Sequence, residues 1–159
     1  MAEIADRDNM NSGRLAGIDF GDKRIGVALT DPERRMASPF ENYARRDMAA
    51  DAAYFRKLAA EERIVRFVVG LPVHLDGRES QKSTEARQFG QWLAETTGIE
   101  VVFFDERFTT TEAEHLLADA QMTRKRRKAR RDMLAAQILL TAYLEAGQPS
   151  GEASEPLDG

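Results

Sequence analysis

Residues 15–30 have the sequence LAGIDFGDKRIGVALT, and this stretch decides the architecture of the first half of the chain. Two short apolar runs, residues 15–19 and 25–30, flank a polar link that contains Gly21. Apolar runs joined by such a link predict a β-hairpin. Asp19 then stands at the end of the first strand, and Gly21 permits a tight turn or a close approach of the backbone to a phosphate.

Beyond the hairpin, strand-like and helix-like segments alternate. The sequence predicts a weak strand near residues 38–43 and buried strands at 66–70 and 101–105. Apolar residues at helical spacing predict helices at 48–62, 80–97, 111–120 and 132–145. A hairpin followed by βαβα units predicts a mixed α/β sheet whose first strands are antiparallel and whose later strands are parallel.

Three acidic residues fall where such a sheet forms its ligand site, beyond the carboxyl ends of the parallel strands. Asp19 ends the first strand, Glu106 follows the apolar run VVFFD, and Asp132 opens the last predicted helix. Clustered carboxylates repel one another unless a cation joins them, and their hard oxygen ligands suit Mg²⁺ or Mn²⁺. The sequence therefore predicts a divalent-metal site built from these three residues.

Each of these residues also has a simpler interpretation. An aspartate shortly before a glycine, like Asp19 before Gly21, is often only a turn residue. Glu106 lies between Asp105 and Arg107, where a surface ion pair would explain it. Asp132 near a helix start would favour the helix dipole without any catalytic role. Only the joint placement of the three favours a hydrolytic site.

The net charge of −4 hides a dense cationic block. Seven of the eight residues at 124–131 are Lys or Arg, whereas the other 151 residues hold 16 basic and 27 acidic side chains. We expect this block to be a solvated loop that grips phosphates and delivers nucleic acid to Asp132. Its members are Arg124, Lys125, Arg126, Arg127, Lys128, Arg130 and Arg131.

Composition restricts the class of protein further. The chain of 159 residues has the size of one domain, and the absence of cysteine excludes disulfides, cysteine zinc sites and thiol catalysis. No apolar run approaches the roughly 20 residues that span a membrane, and the polar start has no signal pattern. We expect a cytoplasmic protein that has no membrane partner. A single domain is predicted at 14–147, with disordered tails at 1–13 and 148–159.

Four segments together resemble the YqgF (RuvX-like) family, whose members are described as pre-16S rRNA nucleases and as Holliday junction resolvases. They occur in order over about residues 14–147: LAGIDFGDKRIGVALTD, VVGLPVHLDGRES, FFDERFTTTEAEHLL, and a basic segment that leads into RDMLAAQILLTAYL. The segment DERFTTTEA is the most specific of these. One departure is Met133 after Asp132, where family members often carry serine.

The resemblance implies a ribonuclease H-like fold: a five-stranded mixed sheet with its first three strands antiparallel, flanked by helices. It also implies a metal-dependent phosphodiester hydrolase whose acidic positions map onto Asp19, Glu106 and Asp132. We expect Lys23, Arg107 and the cationic block to contact nucleic acid.

The leading hypothesis is a Mg²⁺- or Mn²⁺-dependent endonuclease that matures the 5′ end of pre-16S ribosomal RNA, with the pre-ribosomal particle as an expected partner. One alternative is resolution of four-way DNA junctions, which requires two active sites and hence a dimer. Another is a non-catalytic nucleic-acid-binding module. The expected oligomeric state is a monomer or a weak homodimer. A sugar-kinase-like ATPase also opens with a similar phosphate loop, but it needs two such domains and a longer chain.

Overall fold

The computed structural model describes residues 13–72, 80–106 and 124–150, with the backbone alone for 124–132. These residues form five strands and three helices. The strands are β1 (Arg14–Phe20), β2 (Arg24–Thr30), β3 (Ala37–Ala44), β4 (Ile64–Leu71) and β5 (Glu100–Asp105). The helices are α1 (Met48–Glu61), α2 (Gln81–Thr97) and α3 (Arg124–Glu145).

The five strands form one mixed sheet in the order β3-β2-β1-β4-β5. β1 pairs antiparallel with β2, and β2 pairs antiparallel with β3, which confirms the predicted hairpin. β4 pairs parallel with β1, and β5 pairs parallel with β4. The carboxyl ends of β1, β4 and β5 therefore lie at one edge of the sheet, as the sequence predicted.

Apolar side chains alternate between the two faces of the sheet, so each face has its own core. One face, with Ile18, Phe67 and Val69, packs against Phe55 of α1 and Leu93 of α2. The opposite face packs against α3 and contains the following buried residues: Leu15, Ala28, Val68, Val102, Phe104, Ala136, Leu139, Leu140 and Tyr143. The fold is a sheet between two helical layers.

Capping residues fix where α1 and α2 begin and end. The Asp47 side chain accepts a hydrogen bond from Ala50 N (2.8 Å), and Ser80 Oγ accepts one from Ser83 N (3.2 Å). Gly98 ends α2 in the left-handed conformation (φ 73°), which glycine adopts without steric cost. These local signals explain why the predicted limits of both helices agree with the structure to within a residue or two.

Helix α3 corrects one expectation, because its backbone is helical from Arg124 onward. The cationic block was expected to be a loop. Arginine and lysine are good helix formers, and extending an existing helix avoids the cost of a new nucleus. The packed segment from Met133 to Tyr143 supplies that existing helix, so the cationic block forms its first two turns.

The residues at the predicted domain limits contact the folded body. The Gly13 carbonyl accepts a hydrogen bond from Arg34 Nε (3.0 Å), Gln148 N donates to the Tyr143 carbonyl (3.1 Å), and Tyr143 Oη donates to the Pro149 carbonyl. The domain at 14–147 with disordered tails remains a prediction. Among the described residues, no helix is both long and apolar enough to cross a bilayer.

Candidate active site

Asp19 and Glu106 reach the same face of the sheet at the carboxyl edge. A Cβ at Gly17 would lie 2.9 Å from the carbonyl oxygen of Ala136 in α3, so position 17 faces that helix. Side chains alternate along a strand, and Asp19 therefore faces the α3 side as well. Glu106 follows β5 directly and continues the alternation of Val102 and Phe104, which pack under α3.

Gly70 of β4 lies between the two carboxylates. The parallel register pairs Val69 with Ile18 on one side and Gly70 with Phe104 on the other. A Cβ at Gly70 would lie 2.7 Å from Glu106 Oε1 and 3.2 Å from Leu139 Cδ2. The missing side chain at this position leaves the space in which Glu106 extends toward β1.

The two carboxylates line one cavity of about 260 Å³, here called the acidic cavity. Its wall includes Gly70 and Pro72 from the end of β4, and Gly21 and Asp22 from the β1–β2 turn. Lys82 and Glu85 from the start of α2 complete it. The cavity thus gathers several carboxylates and one ammonium group at the end of a rigid sheet.

Burial raises the pKa of Glu106 above its ordinary value, and the negative charge of Asp105 raises it further. Asp105 is itself fully buried, at the end of the same strand. An ionised Glu106 is therefore partly removed from water and lies close to a second negative charge. A bound cation would relieve both penalties, so the donor chemistry fits a divalent metal.

Asp132, the third predicted ligand, is described by its backbone only. Helix α3 runs antiparallel to β1: Ala136 lies over Gly17, whereas Tyr143 Oη accepts a hydrogen bond from Arg66 Nη1 (2.8 Å) near the start of β4. The amino-terminal half of α3 therefore lies toward the carboxyl edge, and Asp132 precedes Ala136 by one helical turn. Among the described side chains, no three acidic or histidine residues form a metal-binding group.

The predicted nucleic-acid contacts are described in part. Lys23 is exposed in the β1–β2 turn beside Asp22 of the acidic cavity, and its carbonyl accepts a hydrogen bond from Arg45 N (2.9 Å). The cationic block occupies the start of α3, with its side chains outside the description. Arg107 and the predicted helix at 111–120 also lie outside the described residues.

Sequence reasoning missed the contributions of Gly70, Lys82 and Glu85. Gly70 was predicted as the last residue of a buried strand; the structure places it in β4, where its missing side chain leaves space for Glu106. Lys82 and Glu85 reach the cavity because Ser80 caps α2 and also donates a hydrogen bond from Oγ to the Pro72 carbonyl (3.0 Å). The serine at the helix start was the available signal, but its proximity to β4 depends on the tertiary fold.

The sheet order β3-β2-β1-β4-β5, with antiparallel pairing among β1 to β3 and parallel pairing among β1, β4 and β5, gives the chain a ribonuclease H-like fold. The RuvC protein of T. thermophilus in complex with a Holliday junction substrate is similar to it, with a TM-score of 0.55. That likeness covers 85% of this chain and 96% of RuvC at 15% sequence identity, so it concerns the fold.

The chain belongs to the RuvX family, a family of nucleases described as Holliday junction resolvases, whose model matches residues 13–146. A protein of Rhodopirellula baltica named "Putative pre-16S rRNA nuclease" is 50% identical over 89% of this chain and 82% of its own length. A relative of the same name from Syntrophomonas wolfei is 37% identical over 84% of this chain and 95% of its own length. These matches confirm the family that the sequence motifs indicated.

Proposed function

We propose that this chain is a divalent-metal-dependent endonuclease that cleaves phosphodiester bonds in the precursor of 16S ribosomal RNA, at its 5′ end. One observation carries the proposal: the Asp19 and Glu106 carboxylates line one cavity, with Gly70 between them, at the carboxyl edge of the sheet. The substrate follows the names of the relatives that are up to 50% identical.

Asp19, Glu106 and Asp132 would hold Mg²⁺ or Mn²⁺, because carboxylate oxygens are the ligands these ions prefer. When bound, such an ion activates a water nucleophile and stabilises the negative charge on the phosphate. Nucleases of this fold are generally dependent on divalent metals. The choice between Mg²⁺ and Mn²⁺, and the role of Asp132, belong to the proposal.

The chain's own residues would prepare the site in three ways. Strands β1 and β5 are anchored by buried side chains such as Ile18 and Val102, so Asp19 and Glu106 start from rigid supports. The gap at Gly70 lets the two carboxylates approach. Lys82 supplies a positive charge in the wall of the cavity, where it would favour the approach of a phosphate.

The cationic block would bind the sugar-phosphate backbone. Its seven cations lie within two turns of α3, directly before Asp132. Each phosphate that they neutralise releases counterions, and binding therefore weakens as salt rises. We propose that Lys23 and Arg107 also bind the sugar-phosphate backbone. The proposed partner is nucleic acid within a pre-ribosomal particle. The protein would act in the cytoplasm as a monomer or weak homodimer.

Cleavage of four-way DNA junctions is the second candidate function. The specific observation in its favour is the description of the matching family as Holliday junction resolvases. Symmetric cleavage of two strands requires a dimer. A protein that is monomeric in light scattering at assay concentrations would favour the RNA substrate.

The deciding experiment compares wild type with Asp19→Asn on a labelled pre-16S rRNA fragment and on a four-way junction, with and without Mg²⁺ or Mn²⁺. The proposal expects metal-dependent cleavage of the RNA by wild type, and none by the variant although it melts at the same temperature. Calorimetric titration with Mn²⁺ provides a readout that does not depend on activity. Cleavage that survives Asp19→Asn would contradict the proposed site. Binding without any cleavage by wild type would support the non-catalytic module instead.

A further inference from the structure

A second cavity, of about 370 Å³, lies beside the acidic cavity and is here called the aromatic groove. Its apolar part is formed by Phe20 of β1, Met48 of α1, and Phe89 and Trp92 of α2. The two cavities share Phe20, Asp22 and Glu85 in their walls. Along β1, Asp19 lines the acidic cavity only, and the next residue, Phe20, lies in the wall that the two cavities share.

The aromatic rings of the groove are held firmly by the core beneath them. Phe20 and Phe89 lie with their ring centroids 4.8 Å apart, and Trp92 lies 5.5 Å from Phe89 and 6.3 Å from Phe55. Met48, by contrast, is 68% exposed at the first residue of α1. The groove therefore combines a preformed aromatic floor with an adaptable thioether, a surface suited to a flat aromatic ligand.

The charges around the groove argue against a phosphate as its occupant. Arg45 is the cation in the wall of the groove, and its guanidinium lies 5.1 Å over the Phe20 ring. Its charge is offset by the buried carboxylate of Asp51, because Arg45 Nε lies 3.6 Å from Asp51 Oδ2. Asp22 and Glu85 add further carboxylates to the wall. Carboxylates repel phosphate oxygens but accept hydrogen bonds from the exocyclic amino groups of nucleobases. Gln88 offers a further donor and acceptor for the edge of a base.

From these features we propose that the aromatic groove receives one unpaired nucleobase of the substrate strand, adjacent to the phosphodiester that enters the acidic cavity. The proposal rests on the proposed nuclease function and adds a preference for substrates with an unstacked base beside the cleaved bond. Stacking of a base on aromatic side chains recurs in the recognition of single-stranded nucleic acid. The shared wall formed by Phe20, Asp22 and Glu85 is what would link the two subsites.

Trp92 provides the measurement, because it is the sole tryptophan of the chain. The experiment uses the full-length protein, without divalent metal, and single-stranded RNA hexamers in which each position in turn is abasic. An intact hexamer is expected to change the Trp92 fluorescence. Loss of the base that occupies the groove should weaken binding by about 5- to 100-fold and abolish the fluorescence change.

Met48→Ala tests the same groove from the protein side, with Met36→Ala as a matched control. Met36 is 70% exposed and precedes β3, so it has the same chemistry and exposure but does not line the groove. Met48→Ala should weaken hexamer binding by about 2- to 10-fold, and Met36→Ala should leave it unchanged. Phe20 and Trp92 are unsuitable for substitution because they pack on the core.

The outcomes separate this inference from the proposed function. Equal affinities for intact and all abasic hexamers, or equal effects of Met48→Ala and Met36→Ala, would overturn the aromatic groove as a base site. If these results accompany metal-dependent cleavage that Asp19→Asn abolishes, the nuclease function stands alone. A base-dependent fluorescence change in a protein that never cleaves nucleic acid would instead support the groove and overturn the nuclease function.

Discussion

Replacing Gly70 by alanine should slow cleavage on the order of 100-fold while leaving the protein folded. The added Cβ would lie 2.7 Å from Glu106 Oε1, whereas non-bonded atoms of this kind lie roughly 3.5 Å apart. The Glu106 carboxylate must therefore move by roughly 0.8 Å. It is the end of a side chain beside a cavity, so it can yield without displacing the backbone.

The cost in stability and the cost in activity should differ sharply. Overpacking typically lowers the free energy of unfolding by about 1–3 kcal/mol. Because the Glu106 carboxylate can move, we expect Gly70→Ala to lie near the lower limit of that range. A loss of about 1 kcal/mol lowers the melting temperature of a chain of this size by roughly 2–4 °C. Misplacement of a catalytic group by about 1 Å costs on the order of 100-fold in rate.

Gly17→Ala is the matched comparison, because its Cβ would also meet atoms at short distance. Those atoms are the Ala136 carbonyl oxygen and Leu140 Cβ, both at 2.9 Å and both part of a packed helix. We expect about 2–3 kcal/mol of destabilisation there, since α3 itself must shift. Melting curves and single-turnover cleavage rates would be measured for both variants. A Gly70→Ala protein that melts near wild type and cleaves within threefold of its rate would refute the claim that the gap at Gly70 positions the proposed catalytic carboxylate of Glu106.

Three further predictions concern charge. Burial and the charge of Asp105 raise the pKa of Glu106 above 4.5 in the folded state. The folded protein therefore holds the Glu106 proton more tightly than the unfolded chain does. As pH rises from the unfolded-state pKa through the folded-state pKa, the folded protein loses stability. In EDTA at neutral pH, Glu106→Gln should therefore melt at a higher temperature than wild type, and this difference should disappear below pH 4.5. A variant that melts below wild type at neutral pH would contradict the raised pKa of Glu106. Asp51→Ala should lower the free energy of unfolding by about 2–3 kcal/mol and the melting temperature by roughly 5–10 °C. The reason is that the buried Asp51 carboxylate accepts hydrogen bonds from Tyr43 Oη (2.6 Å) and Arg46 N (2.9 Å). Asp51→Asn, which keeps an acceptor, should lose less, and equal losses would exclude the hydrogen bonds as the cause. The third variant carries alanine at four positions of the cationic block: Lys125, Arg126, Arg127 and Lys128. It should bind RNA more weakly, and the slope of log K against log salt should become shallower by about 3–4. An unchanged slope would exclude phosphate binding by these side chains.

Much of the fold could be predicted because its signals are local. The link around Gly21 specifies the hairpin: a Cβ there would lie 2.5 Å from the Arg24 carbonyl oxygen, so the turn requires glycine. Asp47 and Gly98 mark helix ends through bonds and dihedral angles that involve only nearby residues. The limits of α3 escaped prediction because a run of cations is compatible with both a loop and a helix, and packing further along the helix decides between them.

The sequence by itself determined which carboxylates end strands, since apolar runs and their polar ends can be recognised without knowing their neighbours. Only the tertiary structure decided that β4 lies between β1 and β5, so that Asp19 and Glu106 line one cavity together with Gly70. It likewise brought Phe20, Met48 and Trp92 together from three elements to form the aromatic groove. Strand order and the docking of helices depend on contacts between residues distant in the chain, and local patterns of hydrophobicity and charge carry no record of those contacts.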